Sequence, residues 1–176
     1  MLLIFIGYVF VFFNFQFNGF DLLADFIGYF LVYMGLSKLK NDDQSFANAM
    51  PLTGFMIILN FIYAVAGTWI PPVILVGMGF INIVLSLYIL FMINSGIKEI
   101  ERCSHFYMKA DKLSSAWRLM LMFTAGNALL TLIPFEMFDV MANMFSMAAT
   151  IAQVIYLFHF ISTKEAMEQV KEHRGE

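Results

Sequence analysis

The sequence predicts an all-α fold, an integral membrane bundle of six transmembrane helices, and three observations carry that prediction. Of the 176 residues 61% are hydrophobic and only 13% charged, with a mean hydropathy of +0.78, whereas about a quarter of the residues of a soluble domain are charged. Apolar runs close to the length of a membrane crossing recur along the chain, separated by turn-forming or charged segments. All ten Lys and Arg residues fall in, or at the edge of, every second connection, counting the C-terminal tail. By the positive-inside rule that alternation places both termini in the cytoplasm and groups the spans into three hairpins.

The elements follow in order, within a single domain covering 1–176. Residues 1–20 carry no charge, and the Asn18-Gly19 turn signal closes a first span of about 2–16. The run has no basic N-terminal flank and no small-residue cleavage site, so it reads as a retained helix and not a signal peptide. A second span, about 22–37, ends at Lys38 and Lys40. From Gln44 to Ile97 no residue is charged, a stretch too long for one crossing, and Trp69, Pro71 and Pro72 divide it into spans at about 51–69 and 73–94. Residues 95–116 form a cytoplasmic linker in which Ile97, Ile100, Phe106 and Leu113 line a loose apolar stripe of a surface helix. Span five, about 117–133, is closed by Pro134, and span six covers about 140–162. The tail, 163–176, reads as a helical extension with Lys164 and Glu168 at i,i+4. Trp69 and Trp117 fall where amphipathic rings favour the membrane interface.

The second span is where chemistry is expected. From Asp25 to Lys38 is 13 residues, roughly 20 Å of helix against a hydrocarbon core of about 30 Å. Starting at Asp21 still yields only roughly 26 Å, which draws Asp25 into the outer part of the membrane. Asp21 and Asp25 lie one turn apart on a face continuing through Gly28, Val32 and Gly35, where another helix can approach closely. Two readings stand. Asp25 is a proton or cation site, as intramembrane acids commonly are, or Asp21 caps the helix and Asp25 complements its dipole from the first turn. With Glu136 and Asp139 the outer face is wholly acidic, which suits cations and is also what a positive-inside protein retains by default.

Amides recur at membrane depth: Asn14, Asn60, Asn82, Asn127, Asn143 and Gln153. Each needs a hydrogen-bond partner, either on a neighbouring helix or in a polar pocket shared with Asp25. The candidate binding set is therefore Asp25, Asp21, Asn60, Asn127, Asn143 and Gln153. Ala142, Ser146, Ala149 and Gln153 form a small and polar face of span six, with Met137, Met141, Met144 and Met147 mostly off it. His159 reads as an interfacial histidine.

No metal site or cofactor is expected. Cys103 and His105 make only a pair, short of the three or four ligands zinc requires. The chain has no H-E-x-x-H, G-x-S-x-G, C-x-x-C or P-loop motif, which argues against an enzyme.

The stretch DLLADFIGYFLVYMGLSKL resembles an N-terminal hairpin of small, uncharacterised multi-span membrane proteins of Gram-positive bacteria, with Asp21, Asp25, Gly28, Gly35 and Leu39 matching and Ala24 in place of an expected proline. The resemblance covers about the first 50 residues. It implies a bacterial plasma-membrane location and no mechanism.

Two functions are expected from the residues. One is a transport or permease-like component binding a proton or cationic substrate at Asp25. The alternative is a non-catalytic accessory or immunity-type subunit acting through helix contacts. The partners are the lipid bilayer and, for the second reading, another membrane protein or further copies of the chain; nucleic acid is not among them.

Overall fold

The computed structural model describes residues 1–12, 22–66, 69–104, 106–131 and 136–174. These residues form six α-helices, α1 Leu2–Phe12, α2 Leu22–Leu39, α3 Gln44–Ala66, α4 Pro72–Ser104, α5 Ala110–Leu130 and α6 Glu136–Arg174, and no strand occurs among them. α3, α4 and the Asp139–Gln169 part of α6 are long and apolar enough to cross a membrane, and α1 is a shorter apolar helix. Three of the six expected spans thus meet the demand of a crossing by their own length and composition. α2 carries Asp25 and Lys38 within its 18 residues, and α5 opens on Asp111 and Lys112.

The boundaries differ from expectation where side chains intervene. α3 starts at Gln44 and not near 51, because Asp43 caps it: its Oδ1 accepts the Ser45 N–H at 2.7 Å and its carbonyl accepts that of Phe46 at 3.2 Å. Pro51 is consequently inside the helix, on an exposed face. The break after α3 falls at Trp69, which is 88% exposed, and Pro72 opens α4, where its missing N–H costs nothing. α4 then runs on to Ser104, so most of the expected linker continues this helix. The expected stripe is not one helix: Ile97 and Ile100 are buried residues of α4, Leu113 is a buried residue of α5, and Phe106 lies in the non-helical stretch between. Lys109, at φ 62°, sets the left-handed residue from which α5 departs. Trp117 accordingly stands two turns inside α5, half-buried. At the other end α6 extends through Arg174, with Lys164 and Glu168 paired at 3.4 Å.

The chain divides into two compact units, Met1–His105 and Phe106–Glu176. In the first unit α1 packs on α2, α2 on α3 and α3 on α4. The pairs that meet show that each neighbour runs antiparallel to the last: Gly7 lies against Gly28 and Ile4 against Gly35, Phe26 against Phe61, and Phe46 against Gly96. Its core contains Ile4, Tyr8, Tyr29, Val32, Leu36, Phe46, Met56, Ile89 and Ile93. Where lipid surrounds such helices its tails are as apolar as these side chains, and close packing rather than hydrophobicity is then what holds helices together. The glycines show how close. A Cβ added at Gly28 would come within 2.8 Å of the Gly7 carbonyl, and one at Gly7 within 2.5 Å of the Gly28 carbonyl. The α1–α2 contact occupies the Gly28–Val32–Gly35 face of α2.

The second unit is α5 against α6, again antiparallel, with Lys109 Nζ donating to Ser162 Oγ at 2.8 Å near one end and Gly126 meeting the Phe145 ring toward the other. The buried stripe of α6 is Ala142, Ala149, Ala152, Tyr156, Phe160, Thr163 and Met167. Ser146, expected on the packing face, is exposed; Phe145 takes that level because the missing Cβ of Gly126 leaves room for its ring. Met141, Met144 and Met147 face outward, and exposed apolar residues continue through Ile151, Phe158 and Ile161 before the charges begin at Lys164.

Candidate functional site

Asp25 stands in the first turn of α2 and Lys38 in its last, positions where an acid and a base suit the helix dipole. The Asp25 residue is half-buried and its Oδ1 is fully enclosed. One turn on, Tyr29 is completely buried. Its hydroxyl turns toward Ser86 of α4, short of a well-formed hydrogen bond, and lies within electrostatic range of Asp25.

Two further polar groups occupy the same level. Asn82 Nδ2 of α4 donates to Asn60 Oδ1 of α3 at 2.7 Å, and Asn60 Nδ2 donates to the Met56 carbonyl at 2.8 Å. The buried Asn60 is thereby satisfied on both sides, as an amide in an apolar surround must be. The Phe26 and Phe61 rings, 5.6 Å apart, put their chain neighbours Asp25 and Asn60 at nearly one height. Continuing the register through the Asn60–Asn82 pair sets Asp25 level with about residue 80 of α4, eight residues past Pro72. That is roughly 12 Å below the start of that helix. The acid is therefore level with the third turn of α4 and the closing turns of α3.

The resulting layer is Asp25 and Tyr29 on α2, Asn60 on α3, and Asn82 and Ser86 on α4. It offers one carboxylate, two amides and two hydroxyls, a donor set suited to a proton, an ammonium group or a hard cation. No known protein family, curated protein or solved structure matches this chain.

Of the six candidate residues, Asp25 and Asn60 are brought to one level in the first unit. Asp21 lies outside the described residues. Asn127, Asn143 and Gln153 belong to the second unit. There Asn127 is half-buried on α5, whereas Asn143 is exposed on α6 and Gln153 is ten residues further along, roughly 15 Å. The three form no cluster. Tyr29 and Ser86 were missed by the sequence reading, and one signal was available: each stands four residues after a polar residue of the layer, Asp25 and Asn82, and so on the same helix face.

Proposed function

We propose that the chain is a small bacterial plasma-membrane protein of six spans, with both termini and all ten basic residues in the cytoplasm, acting as a transport or permease-like component. Asp25 takes a proton or a cationic substrate from the outer side, with the Asn60–Asn82 pair, Tyr29 and Ser86 supplying the remaining polar contacts. The observation that carries this reading is the placement of Asp25: an acid with an enclosed Oδ1 beside amides and hydroxyls of neighbouring helices, level with the third turn of an α4 that presents apolar side chains to its surroundings. The topology rests on the charge segregation, and the membrane placement on the broad exposed apolar surfaces of α3, α4 and α6, which soluble monomers rarely carry. The bacterial assignment rests on the resemblance of the first hairpin.

The test is proton or ammonium-driven pH change inside proteoliposomes, followed with an entrapped dye across external pH, for the wild type and Asp25→Asn. The substitution is expected to remove the pH-dependent component of flux while leaving assembly in detergent intact. An unchanged profile from a properly assembled variant counts against the reading.

A second reading is favoured by a different observation. In the outer half of α4, Val73, Ile74, Val76, Phe80 and Ile81 are exposed, and Gly77 and Gly79 have nothing within 4 Å of a built Cβ. Small residues on a free helix face are how transmembrane helices admit a partner, which supports an accessory subunit. Purification in mild detergent without any stoichiometric partner argues against it.

A further inference from the structure

The second unit holds a crevice of 280 Å³ between α5 and α6, lined by Asp111, Lys112, Ser115, Ala116, Leu119, Ile155 and His159. Its lining is graded. The register set by Lys109–Ser162 and Gly126–Phe145 puts Lys112 level with His159, and Leu119 further toward the middle of the helix pair. One end of the crevice is thus ionic and hydroxylic, and the other aliphatic.

Arg118 sharpens that polarity. It is exposed on α5, nine residues beyond Lys109 and roughly 13 Å from the level where the apolar surface of α6 gives way to charge. Its guanidinium bends back toward the charged end, Nη2 donating to Ser115 Oγ at 3.2 Å, as a cation does when its Cα lies at apolar depth. Ser115 Oγ in turn donates to the Asp111 carbonyl at 2.9 Å. The charged end is therefore lined by Lys112 as cation and Asp111 as the opposing acid, with the Ser115 hydroxyl and the His159 ring beside them, and Arg118, outside the lining, brings a second cation to it through Ser115.

We infer that this crevice is a binding site for an anionic phospholipid of the inner leaflet, its phosphate held by Lys112, Arg118 and Ser115 and one acyl chain lying along Leu119, Ala116 and Ile155. Charge and shape select this occupant. Two cations facing one carboxylate favour a phosphate, and a gradient from ionic to aliphatic over two helix turns matches the headgroup-to-chain boundary of a lipid. A free anion would leave the aliphatic half unfilled. The site uses the orientation proposed above, with the Lys109 end of the unit at the cytoplasmic surface, and does not depend on Asp25.

Trp117, next to Ala116 on α5, supplies the readout. In Trp69→Phe protein it is the only tryptophan left, and acyl-brominated lipid quenches its fluorescence at short range. In phosphatidylcholine vesicles carrying brominated phosphatidylglycerol, quenching is expected to exceed that by brominated phosphatidylcholine at equal mole fraction. Lys112→Gln and Arg118→Gln should each lower the relative association constant about fivefold. Arg118→Lys and the distant Lys40→Gln should each leave most of it. Retention of the preference in Asp25→Asn separates this site from the proposed transport function. Equal quenching by the two lipids, a loss in Lys40→Gln matching that in Lys112→Gln, or displacement by excess inorganic phosphate would each overturn the proposal.

Discussion

The contact between α1 and α2 makes a prediction whose size follows from backbone geometry. Placing alanine at Gly7 sets a Cβ at 2.5 Å from the Gly28 carbonyl oxygen, 2.7 Å from Val32 Cγ2 and 2.9 Å from the Val32 nitrogen. Two of these three neighbours are backbone atoms that no rotamer change can move. The helix must retreat by close to 1 Å to restore an ordinary separation of roughly 3.5 Å, and a gap of that size forfeits a quarter to a half of each dispersion contact along the interface. Overpacking of this kind costs about 1–3 kcal/mol, from which the better helix propensity of alanine returns up to about 1 kcal/mol. The same substitution at Gly54, where the nearest atom is Tyr33 Cε2 at 3.8 Å, or at Gly77, where nothing lies within 4 Å, gains the propensity without the clash. Unfolding in mild detergent, titrated with sodium dodecyl sulfate and followed by helical circular dichroism, should rank Gly7→Ala below the wild type and Gly54→Ala and Gly77→Ala at or above it. Equal midpoints for all three variants would refute the close-packed α1–α2 contact.

Other expectations follow from single contacts. A double-mutant cycle of Asn60→Leu and Asn82→Leu in the same titration should return a coupling of about 0.6 kcal/mol, and no more than about 1.7 kcal/mol, for the amide pair; zero coupling would mean the two side chains do not meet. Gly126→Ala should cost less than Gly7→Ala, because the Cβ meets the Phe145 side chain and not backbone, and Phe145→Leu should suppress most of that loss. The exposed thiol of Cys103, near the end of α4, should react with a membrane-impermeant maleimide in inverted vesicles and not in intact cells. Labelling from outside the cell would reverse the proposed topology.

Much of the helical outline was legible in residue type alone. Pro72, Lys38 and the long uncharged stretch mark boundaries through backbone chemistry and the expense of charge in hydrocarbon, effects that act locally and read directly from the chain. Gly28 and Gly35 were readable as a face for close approach because helical periodicity sets them on one side of α2. The capping of α3 by Asp43 was missed, since the absence of charge after Gln44 conceals where the helix begins within the apolar run. The continuous surface stripe through Ile97 and Leu113 failed because helical spacing carried across residues 106–109 looks the same whether or not the backbone turns there; Lys109 at φ 62° decides it.

The candidate site divides along the same line. Composition and charge placement by themselves picked out Asp25 as an acid at the head of an apolar helix, and showed that the long apolar segments need an apolar surround. Only the tertiary structure decided which polar groups share its level. Asn60 and Asn82, 22 residues apart in the chain, meet at 2.7 Å, while Asn143, no less polar, faces outward. The physical reason is that helix rotation and register are set by which small residues let backbones close together, Gly7 on Gly28 and Gly96 on Phe46 among them, and such choices depend on pairs of residues that no single stretch of sequence contains.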